Sequence, residues 1–245
     1  EHLVPVIREK GAASPEVRAL LPPAREAPGQ HQDIPGYLPI YKAANGRGLR
    51  VRSDWRLTTA ERKRILLNSI YGVDIDRQAV EVTKLSLLLK VLEDGSEETV
   101  SEFAGWALPN LHENIRCGNS LVASDIYDGL AVQPGIEERR RINAFDWERE
   151  FAGIMQTGGF DVVIGNPPYV RQETLGQEFK GYVKQRYAVY HGVADLYAYF
   201  IEKGVSLLCP AGQFGYIVAN KWLRANYGRP LRRWLKEKRI EEIVD

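Results

Sequence analysis

Cysteine and histidine are scarce in this 245-residue chain, which contains two cysteines and four histidines. Cys117 and Cys209 lack the close spacing of metal ligands and suggest no disulfide framework. The histidines are scattered along the sequence and suggest neither a ligand cluster nor a catalytic triad. We therefore predict no metal site, and the cysteine content fits a protein of the reducing cytoplasm.

Long apolar runs are also missing. No run reaches the roughly 20 residues that a helix needs to span a bilayer, and the N-terminus has no signal-peptide pattern. The formal net charge is only +1, so the chain as a whole has no strong attraction for a polyanion. These absences argue against a membrane or exported protein, and they leave any contact with nucleic acid to local basic segments.

Residues 1–57 are rich in proline, glycine and charge and show no sustained period, so we predict an irregular surface segment there. Regular patterns begin at Thr58, which has capping-box spacing to Glu61. Predicted strands then follow at IYGVDID, ENIRCGNSLV, FDVVIG, GQFGYIVAN and IEEIVD. Predicted helices lie at RQAVEVTKLSLLLKVLE, EERRRINAFDWEREFAGIM, ADLYAYFIEKGVSLL and YGRPLRRWLKEK. This alternation, with FDVVIG as a buried strand, predicts an α/β fold with a doubly wound, mostly parallel sheet.

Ligands of such sheets bind where the strands end, which singles out three strand exits: Asp74–Asp76, Gly118–Ser120 and Asn166–Tyr169. At the first exit, the Asp74 carboxylate could bind a ribose hydroxyl and Ile75 could lie against an adenine ring. The alternative is that an aspartate caps the following helix. We favour Asp74 as the ligand residue and Asp76 as the cap.

The stretch Asn166-Pro167-Pro168-Tyr169 follows an apolar strand directly. Asn166 offers a carbonyl oxygen, Pro167 keeps its backbone carbonyl, and the two prolines stiffen the loop. A rigid pair of acceptors beside the flat face of Tyr169 suits a planar group that carries an NH2. Positioning and directed hydrogen bonds could then make that nitrogen attack without a general base. The alternative is a rigid turn with no chemical role.

The remaining candidates for a cofactor site are Asn119, Ser120 and Asp195. Asn119 follows a predicted strand with Ser120 behind it, and its amide could read an adenine edge or merely satisfy a turn. Asp195 lies at the start of a predicted helix and is either a cap or a residue of the cofactor site.

Positive charge is concentrated in the stretch NKWLRANYGRPLRRWLKEKR, 220–239. We predict that Lys221 and Arg224, together with Arg171 after the proline loop, contact DNA phosphates. Three aromatic residues are interleaved with the later charges: Trp222, Tyr227 and Trp234. The alternative is that the charged run is only a solvated helix face.

These segments resemble the N6-adenine DNA methyltransferases of the Eco57I-like, type IIG restriction-modification group, which use S-adenosylmethionine. The resemblance covers roughly Ile65 to Leu235. It rests on YGVDIDRQAVEVTKLSL, RCGNSL, DVVIGNPPYVRQE, ADLYAYFIEKGVSLL and FGYIVANKWLRANYG, in that order. NPPY alone is shared with enzymes that methylate glutamine side chains or RNA bases, whereas the longer matches are more specific.

The resemblance implies a Rossmann-like methyltransferase fold, with 58–245 as the central part of the catalytic domain. It implies that Asp74 binds the ribose of S-adenosylmethionine, that Ile75 packs on its adenine, and that Asn119 contacts the adenine amino group. Asn166 and the Pro167 carbonyl would hold the N6 amino group of a target adenine, and Tyr169 would stack on its ring. Such a base must be flipped out of double-stranded DNA.

One departure concerns the cofactor site. The glycine loop of the family, of the Asp-Pro-Ala-Cys-Gly-Ser-Gly type, normally precedes the strand that carries Asp74 and is absent here. Asn45-Gly46-Arg47-Gly48 follows no credible strand and is a poor substitute. The target-recognition domain of the family, expected beyond Asp245, is missing as well, and the sequence has no convincing nuclease motif. We therefore expect a piece of a longer parent that binds the cofactor poorly and turns over little alone.

Two other functions remain open at this point. One is methylation of protein glutamine or RNA by the same NPPY loop. The other, from a different class, is a non-catalytic module for DNA binding or assembly that retains the sheet without the cofactor loop. The sequence immediately upstream of Glu1 and the methylated product would separate these alternatives.

Overall fold

The structure, a computed structural model, describes residues 40–42, 55–92, 109–128, 133–171 and 175–244. Its strands are β1 (Ile40–Lys42), β2 (Trp55–Leu57), β3 (Gly72–Asp74), β4 (Ile115–Cys117), β5 (Phe160–Gly165) and β6 (Leu208–Tyr216). Its helices are α1 (Thr59–Ser69), α2 (Arg77–Leu92), α3 (Ile136–Ile142), α4 (Trp147–Glu150), α5 (Ala152–Gln156), α6 (Gln177–Arg186), α7 (Tyr197–Ser206) and α8 (Arg229–Leu235). Short 3-10 turns lie at Ser124–Tyr127, Asn220–Leu223 and Asn226–Gly228. Most of the predicted irregular segment 1–57 lies outside the described residues.

The described strands form three two-stranded sheets: β1 with β2, β3 with β4, and β5 with β6. β1 and β2 are antiparallel, whereas β5 and β6 are parallel. Between β3 and β4, the Gly72 N–H donates to the Asn114 carbonyl and the Gly118 N–H donates to the Asp74 carbonyl, which is a parallel pattern. The mixed helix and strand composition and the parallel pairing are as predicted. A continuous doubly wound sheet is not formed by the described residues.

The predicted helix starts agree with the structure where a side chain caps the helix. Thr58 Oγ1 accepts from the Glu61 N–H at 3.2 Å ahead of α1, and Asp76 Oδ1 accepts from the Gln78 N–H at 2.8 Å ahead of α2. The prediction that Asp76 is a cap is therefore confirmed. The predicted helix over 137–155 is instead divided into α3, α4 and α5. Asn143 ends α3 in a left-handed conformation with φ of 48°.

The prediction that FDVVIG is a buried strand is wrong for the described residues. The strand forms as β5, but the side chains of Val162 and Ile164 are 56% and 79% exposed. The apolar run predicts a strand that suits burial on both faces, whereas actual burial depends on what packs against it. Helix α7 contacts β5 and β6 and leaves these two side chains uncovered.

Two further predictions near the C-terminus need correction. The segment Cys209–Gly212, ahead of most of the predicted strand GQFGYIVAN, lies inside β6, where Ala211 has φ of 67° and the pairing with β5 shifts register. Strand β6 therefore begins at Leu208, before the predicted GQFGYIVAN. The predicted strand IEEIVD is not formed over 240–244. A strand needs a hydrogen-bonded neighbour, and no described residue provides one there.

The chain divides into two compact units, one of residues 1–72 and 81–115 and the other of 73–80 and 116–245. Every predicted site residue falls in the second unit. That unit contains a core of side chains that are at most 8% exposed. Its members are Leu121, Val122, Val183, Tyr187, Val189, Ala194, Leu196, Tyr197, Ala198, Tyr199, Ile201, Trp222, Tyr227 and Leu231. Within the described part of the chain, no helix is both long and apolar enough to cross a membrane.

Candidate functional site

The first strand exit presents a carboxylate in a fixed orientation. After β3, Asp74 Oδ1 accepts from the Asp76 N–H at 2.8 Å, which forms an Asx turn. The other oxygen of the Asp74 carboxylate has no hydrogen-bond donor among the described residues, and Asp74 is exposed. Ile75 follows with 57% of its side chain exposed. A charged acceptor and an apolar surface therefore stand side by side.

The second strand exit lies beside the first. The Gly118 N–H donates to the Asp74 carbonyl at 2.8 Å, and Cys117 Sγ lies 3.6 Å from the Ile75 carbonyl. A Cβ at Gly118 would lie 2.5 Å from the Phe145 ring, so only glycine fits where the chain leaves β4. These contacts bring Asp74, Ile75 and the start of the Gly118–Ser120 turn together, as predicted from the parallel sheet.

Asn119 makes the turn that was proposed as its alternative role. Its Oδ1 accepts from the Leu121 N–H at 3.1 Å, and its own N–H donates to the Asn143 carbonyl at 2.6 Å. The side-chain NH2 forms no hydrogen bond within the described residues and remains a donor for a ligand. Ser120 is half-buried, and its carbonyl accepts from Trp147 Nε1 at 3.0 Å. The Asn119–Ser120 turn is therefore fixed by hydrogen bonds to both Asn143 and Trp147.

The third strand exit is the proline loop after β5. It leaves the sheet where the Ile217 N–H donates to the Gly165 carbonyl at 3.0 Å. Asn166 and Pro168 are exposed, Pro167 is buried, and the Tyr169 side chain is 57% exposed. The Asn166 amide makes no hydrogen bond to other described residues. An acceptor side chain and an aromatic ring are thus both accessible on a loop anchored by Pro167.

The end of this loop is attached to the start of α7. The Leu196 N–H donates to the Val170 carbonyl at 2.8 Å, and Arg171 forms an isolated antiparallel bridge with Asp195. Residues 172–174, which include the rest of the VRQE extension, lie outside the described residues. The structure thus brings the predicted residues Arg171 and Asp195 together at the backbone level.

Asp195 does not cap α7 with its side chain, which was one of the two predicted roles. Its Oδ2 instead accepts from the Tyr227 hydroxyl at 3.0 Å. The Tyr227 hydroxyl also lies 2.7 Å from the hydroxyl of Tyr197. Desolvation by burial raises the pKa of both phenols above its usual value.

Helix α6 and the residue that follows it contact the chain after Asn119. The Tyr182 hydroxyl accepts from the Ala123 N–H at 3.1 Å and donates to Asp125 Oδ1 at 2.8 Å, and burial raises the pKa of Tyr182 to about 12. Arg186 forms an ion pair with Asp125 at 2.7 Å. The Tyr187 hydroxyl donates to the Leu121 carbonyl at 2.7 Å. These bonds hold α6 and Tyr187 against the chain segment 121–125.

The basic stretch divides into an exposed charged surface and a buried aromatic one. Lys221 and Arg224 are exposed, whereas Trp222 and Tyr227 are each only 7% exposed and belong to the core. The aromatic residues that are interleaved with the charges therefore do not share one exposed surface with them. A 3-10 turn has three residues per turn, so neighbouring side chains point in different directions. Lys221 and Arg224 lie on the exposed side of this stretch.

Sequence reasoning missed the tyrosines that support the site, namely Tyr182, Tyr187, Tyr197 and Tyr227. Their hydroxyl partners are distant in sequence, by 30 residues for Tyr197 with Tyr227 and by 66 for Tyr187 with Leu121. The one available signal was the presence of Tyr197 and Tyr227 within the segments that carry the family resemblance. Within the described part of the chain, no group of three or more His, Cys, Asp or Glu residues is arranged to hold a metal ion.

Comparison with known proteins gives a consistent result. A family described as Eco57I restriction-modification methylase matches residues 68–245. The chain is 34% identical over 187 residues to the Escherichia coli type II restriction enzyme and methyltransferase RM.Eco57I. The aligned stretch covers 75% of this chain and 17% of that protein. It is 40% identical over 81 residues to the Pseudomonas aeruginosa type II methyltransferase M.PaeR7I, covering 33% of this chain and 14% of that protein.

A more distant similarity covers nearly as much of the chain. The adenine-specific methyltransferase PglX of Streptomyces coelicolor is 24% identical over 181 residues, 70% of this chain and 15% of that protein. The chain thus spans less than a fifth of the length of each of these relatives.

Proposed function

Since the chain belongs to the Eco57I restriction-modification methylase family, we propose that its parent protein transfers a methyl group from S-adenosylmethionine to the N6 amino group of adenine in double-stranded DNA. The observation that carries this proposal is the exposed Asn166–Tyr169 loop at the end of β5. One relative is named a type II restriction enzyme and methyltransferase, one a type II methyltransferase and one an adenine-specific methyltransferase, which supports DNA and adenine as the substrate.

In this proposal the proline loop holds the amino group that is methylated. Asn166 Oδ1 and the Pro167 carbonyl each accept one hydrogen of the N6 group, which turns the nitrogen lone pair out of conjugation with the ring. The same acceptors stabilise the positive charge that develops on this nitrogen. Tyr169 stacks on the flipped base, since its ring is more than half exposed. The prolines keep the acceptors in place.

S-adenosylmethionine fits the residues at the first two strand exits. The outer oxygen of Asp74 suits a ribose hydroxyl, and Ile75 offers an exposed apolar surface for the adenine ring. The Asn119 side-chain NH2 remains as a donor, since its Oδ1 accepts from the Leu121 N–H. An NH2 donor matches a ring nitrogen of adenine better than its amino group. Ser120 lies in the same turn. When bound, this cofactor supplies an electrophilic methyl group.

Contact with DNA is proposed for Arg171, Lys221 and Arg224, whose charged side chains are exposed. Each phosphate contact of this kind makes binding weaker as salt rises, and none of them reads sequence by itself. Base recognition, and DNA cleavage where present, are assigned to other parts of the parent protein. The name of the E. coli relative, a restriction enzyme and methyltransferase, is in line with this division.

The role of Asp74 leads to the first prediction. Asp74→Ala in the full-length parent should raise the Kd for S-adenosylmethionine about tenfold or more, because it removes a hydrogen bond to a charged acceptor. Isothermal titration calorimetry measures this change. Asp76→Asn is the matched control, since asparagine also caps helices well, and its Kd should remain within about twofold of the wild type. An unchanged Kd for Asp74→Ala would show that the ribose is bound elsewhere.

The proposed function is tested by incubating the full-length parent with S-adenosylmethionine and DNA, and then analysing the nucleosides by mass spectrometry. N6-methyladenine in the DNA is the expected product. Methylated glutamine in protein, or methylated RNA, with unmodified DNA would replace this function by the alternative that uses the same loop. DNA binding without any methylated product would favour a non-catalytic module.

A further inference from the structure

A chain of buried hydroxyl groups lies behind the proline loop. It runs from Tyr197 on α7 to Tyr227 in the 3-10 turn Asn226–Gly228, and ends at the Asp195 carboxylate. The Tyr197 and Tyr227 side chains are 1% and 7% exposed. The two links measure 2.7 Å and 3.0 Å. Water is therefore largely excluded from the chain, and Tyr197 depends on Tyr227 as the acceptor for its proton.

The direction of these hydrogen bonds follows from the number of protons. A phenol carries one proton, and Tyr227 gives its proton to the Asp195 carboxylate. Tyr197 must therefore donate to the oxygen of Tyr227. Desolvation raises the pKa of both phenols, so both keep their protons at neutral pH. The Asp195 carboxylate is thus the acceptor that orients the whole chain.

Both ends of this chain contact the loop that is proposed to hold the target base. The Tyr197 ring packs edge-on against Tyr169, with centroids 6.1 Å apart and an interplanar angle of 63°. At the other end, Asp195 forms a backbone bridge with Arg171, and the next residue, Leu196, donates to Val170. Tyr169 is thus supported through its ring by Tyr197 and through its backbone by the Asp195 segment.

We propose that Asp195 and Tyr227 are positioning residues that hold Tyr197 against the Tyr169 ring and so fix the orientation in which Tyr169 meets the target base. In this role Asp195 acts through tyrosine and does not bind the cofactor. The inference rests on the proposed function for its effect on catalysis. Its structural part, the support of the loop by the hydroxyl chain, stands on the contacts alone.

The expected result concerns Tyr227→Phe and Asp195→Asn in the full-length parent. Each should lower kcat for DNA methylation about tenfold, in the range of a buried hydrogen bond to a charged group, and leave the Kd for S-adenosylmethionine and the KM for DNA within about twofold. The double variant should lose little more than either single variant, because both changes break the same chain. Tyr199→Phe, which removes a buried hydroxyl from the same helix, is the control and should keep full activity.

A second measurement does not depend on methylation. Hydrogen exchange followed by mass spectrometry should show faster exchange of the peptide that contains Tyr169–Arg171 in Tyr227→Phe, and no change there in Tyr199→Phe. Unchanged exchange overturns the support of the loop. A Kd for S-adenosylmethionine that rises about tenfold in Asp195→Asn but not in Tyr227→Phe also overturns the proposal, since Asp195 is then a cofactor ligand. A wild type that leaves DNA unmethylated contradicts the proposed function alone, and the exchange result still decides the role of the hydroxyl chain.

Discussion

Asn166→Ala in the full-length parent is expected to lower kcat for DNA methylation by about 100- to 1,000-fold, the usual cost of losing one directed hydrogen bond to the developing charge. Asn166 is exposed and makes no side-chain hydrogen bond to other described residues, so the stability of the fold should change little. The Kd for S-adenosylmethionine should be unchanged, because its proposed ligands lie at the other strand exits. Single-turnover transfer of a labelled methyl group to DNA measures the effect.

The variant Asn166→Asp tests whether the acceptor oxygen of Asn166, and not its NH2 group, is required for activity. Aspartate keeps an oxygen in nearly the same position and should retain more activity than alanine. Asn68→Ala, at an exposed position on α1, controls for the loss of an amide in general and should be neutral. If Asn166→Ala retained at least half of the wild-type kcat, the proline loop would be only a rigid turn.

The second large effect is expected at Asn114, whose side chain is 4% exposed. Its Nδ2 donates to the carbonyls of Leu67 at 2.8 Å and Ile70 at 3.0 Å, at the end of α1. The backbone carbonyl of Asn114 accepts from the Gly72 N–H. Asn114→Leu should lower the free energy of unfolding by about 3 kcal/mol, because carbonyls at this helix end lose their donor and leucine supplies none.

Urea denaturation followed by circular dichroism measures this change. Asn68→Leu is the matched control, since the same substitution at an exposed position of α1 should alter the free energy by no more than about 0.5 kcal/mol. An effect at Asn114 as small as that at Asn68 would contradict this prediction. The Asn114 hydrogen bonds would then contribute nothing measurable.

Local features of this protein could be predicted because they depend on neighbouring residues. Thr58 and Asp76 cap their helices through bonds that span two or three residues, and both follow from the sequence pattern. The strand exits at Asp74 and Asn119 come together because parallel strands align their carboxyl ends. The resemblance to a family supplied the expected roles of these residues.

Features that depend on distant contacts could not be predicted. The exposure of Ile164 is determined by what packs on β5, and residues 240–244 lack a strand partner among the described residues. The orientation of the Tyr227 side chain is set by hydrogen bonds of its hydroxyl to Tyr197 and Asp195, which lie 30 and 32 residues away in sequence. The burial of Tyr227 therefore could not be predicted from its position within a basic stretch.

The Asx turns at Asp74 and Asn119 have a further consequence. Each side chain bonds to a backbone N–H two residues ahead. For Asn119, such a turn is the predicted alternative to ligand binding. The two roles are compatible, since each group keeps a second polar atom for a ligand. The turn fixes the side-chain rotamer during folding, so binding does not have to restrict it again. Each such side chain saves about 0.5–1.5 kcal/mol of conformational entropy when the ligand binds.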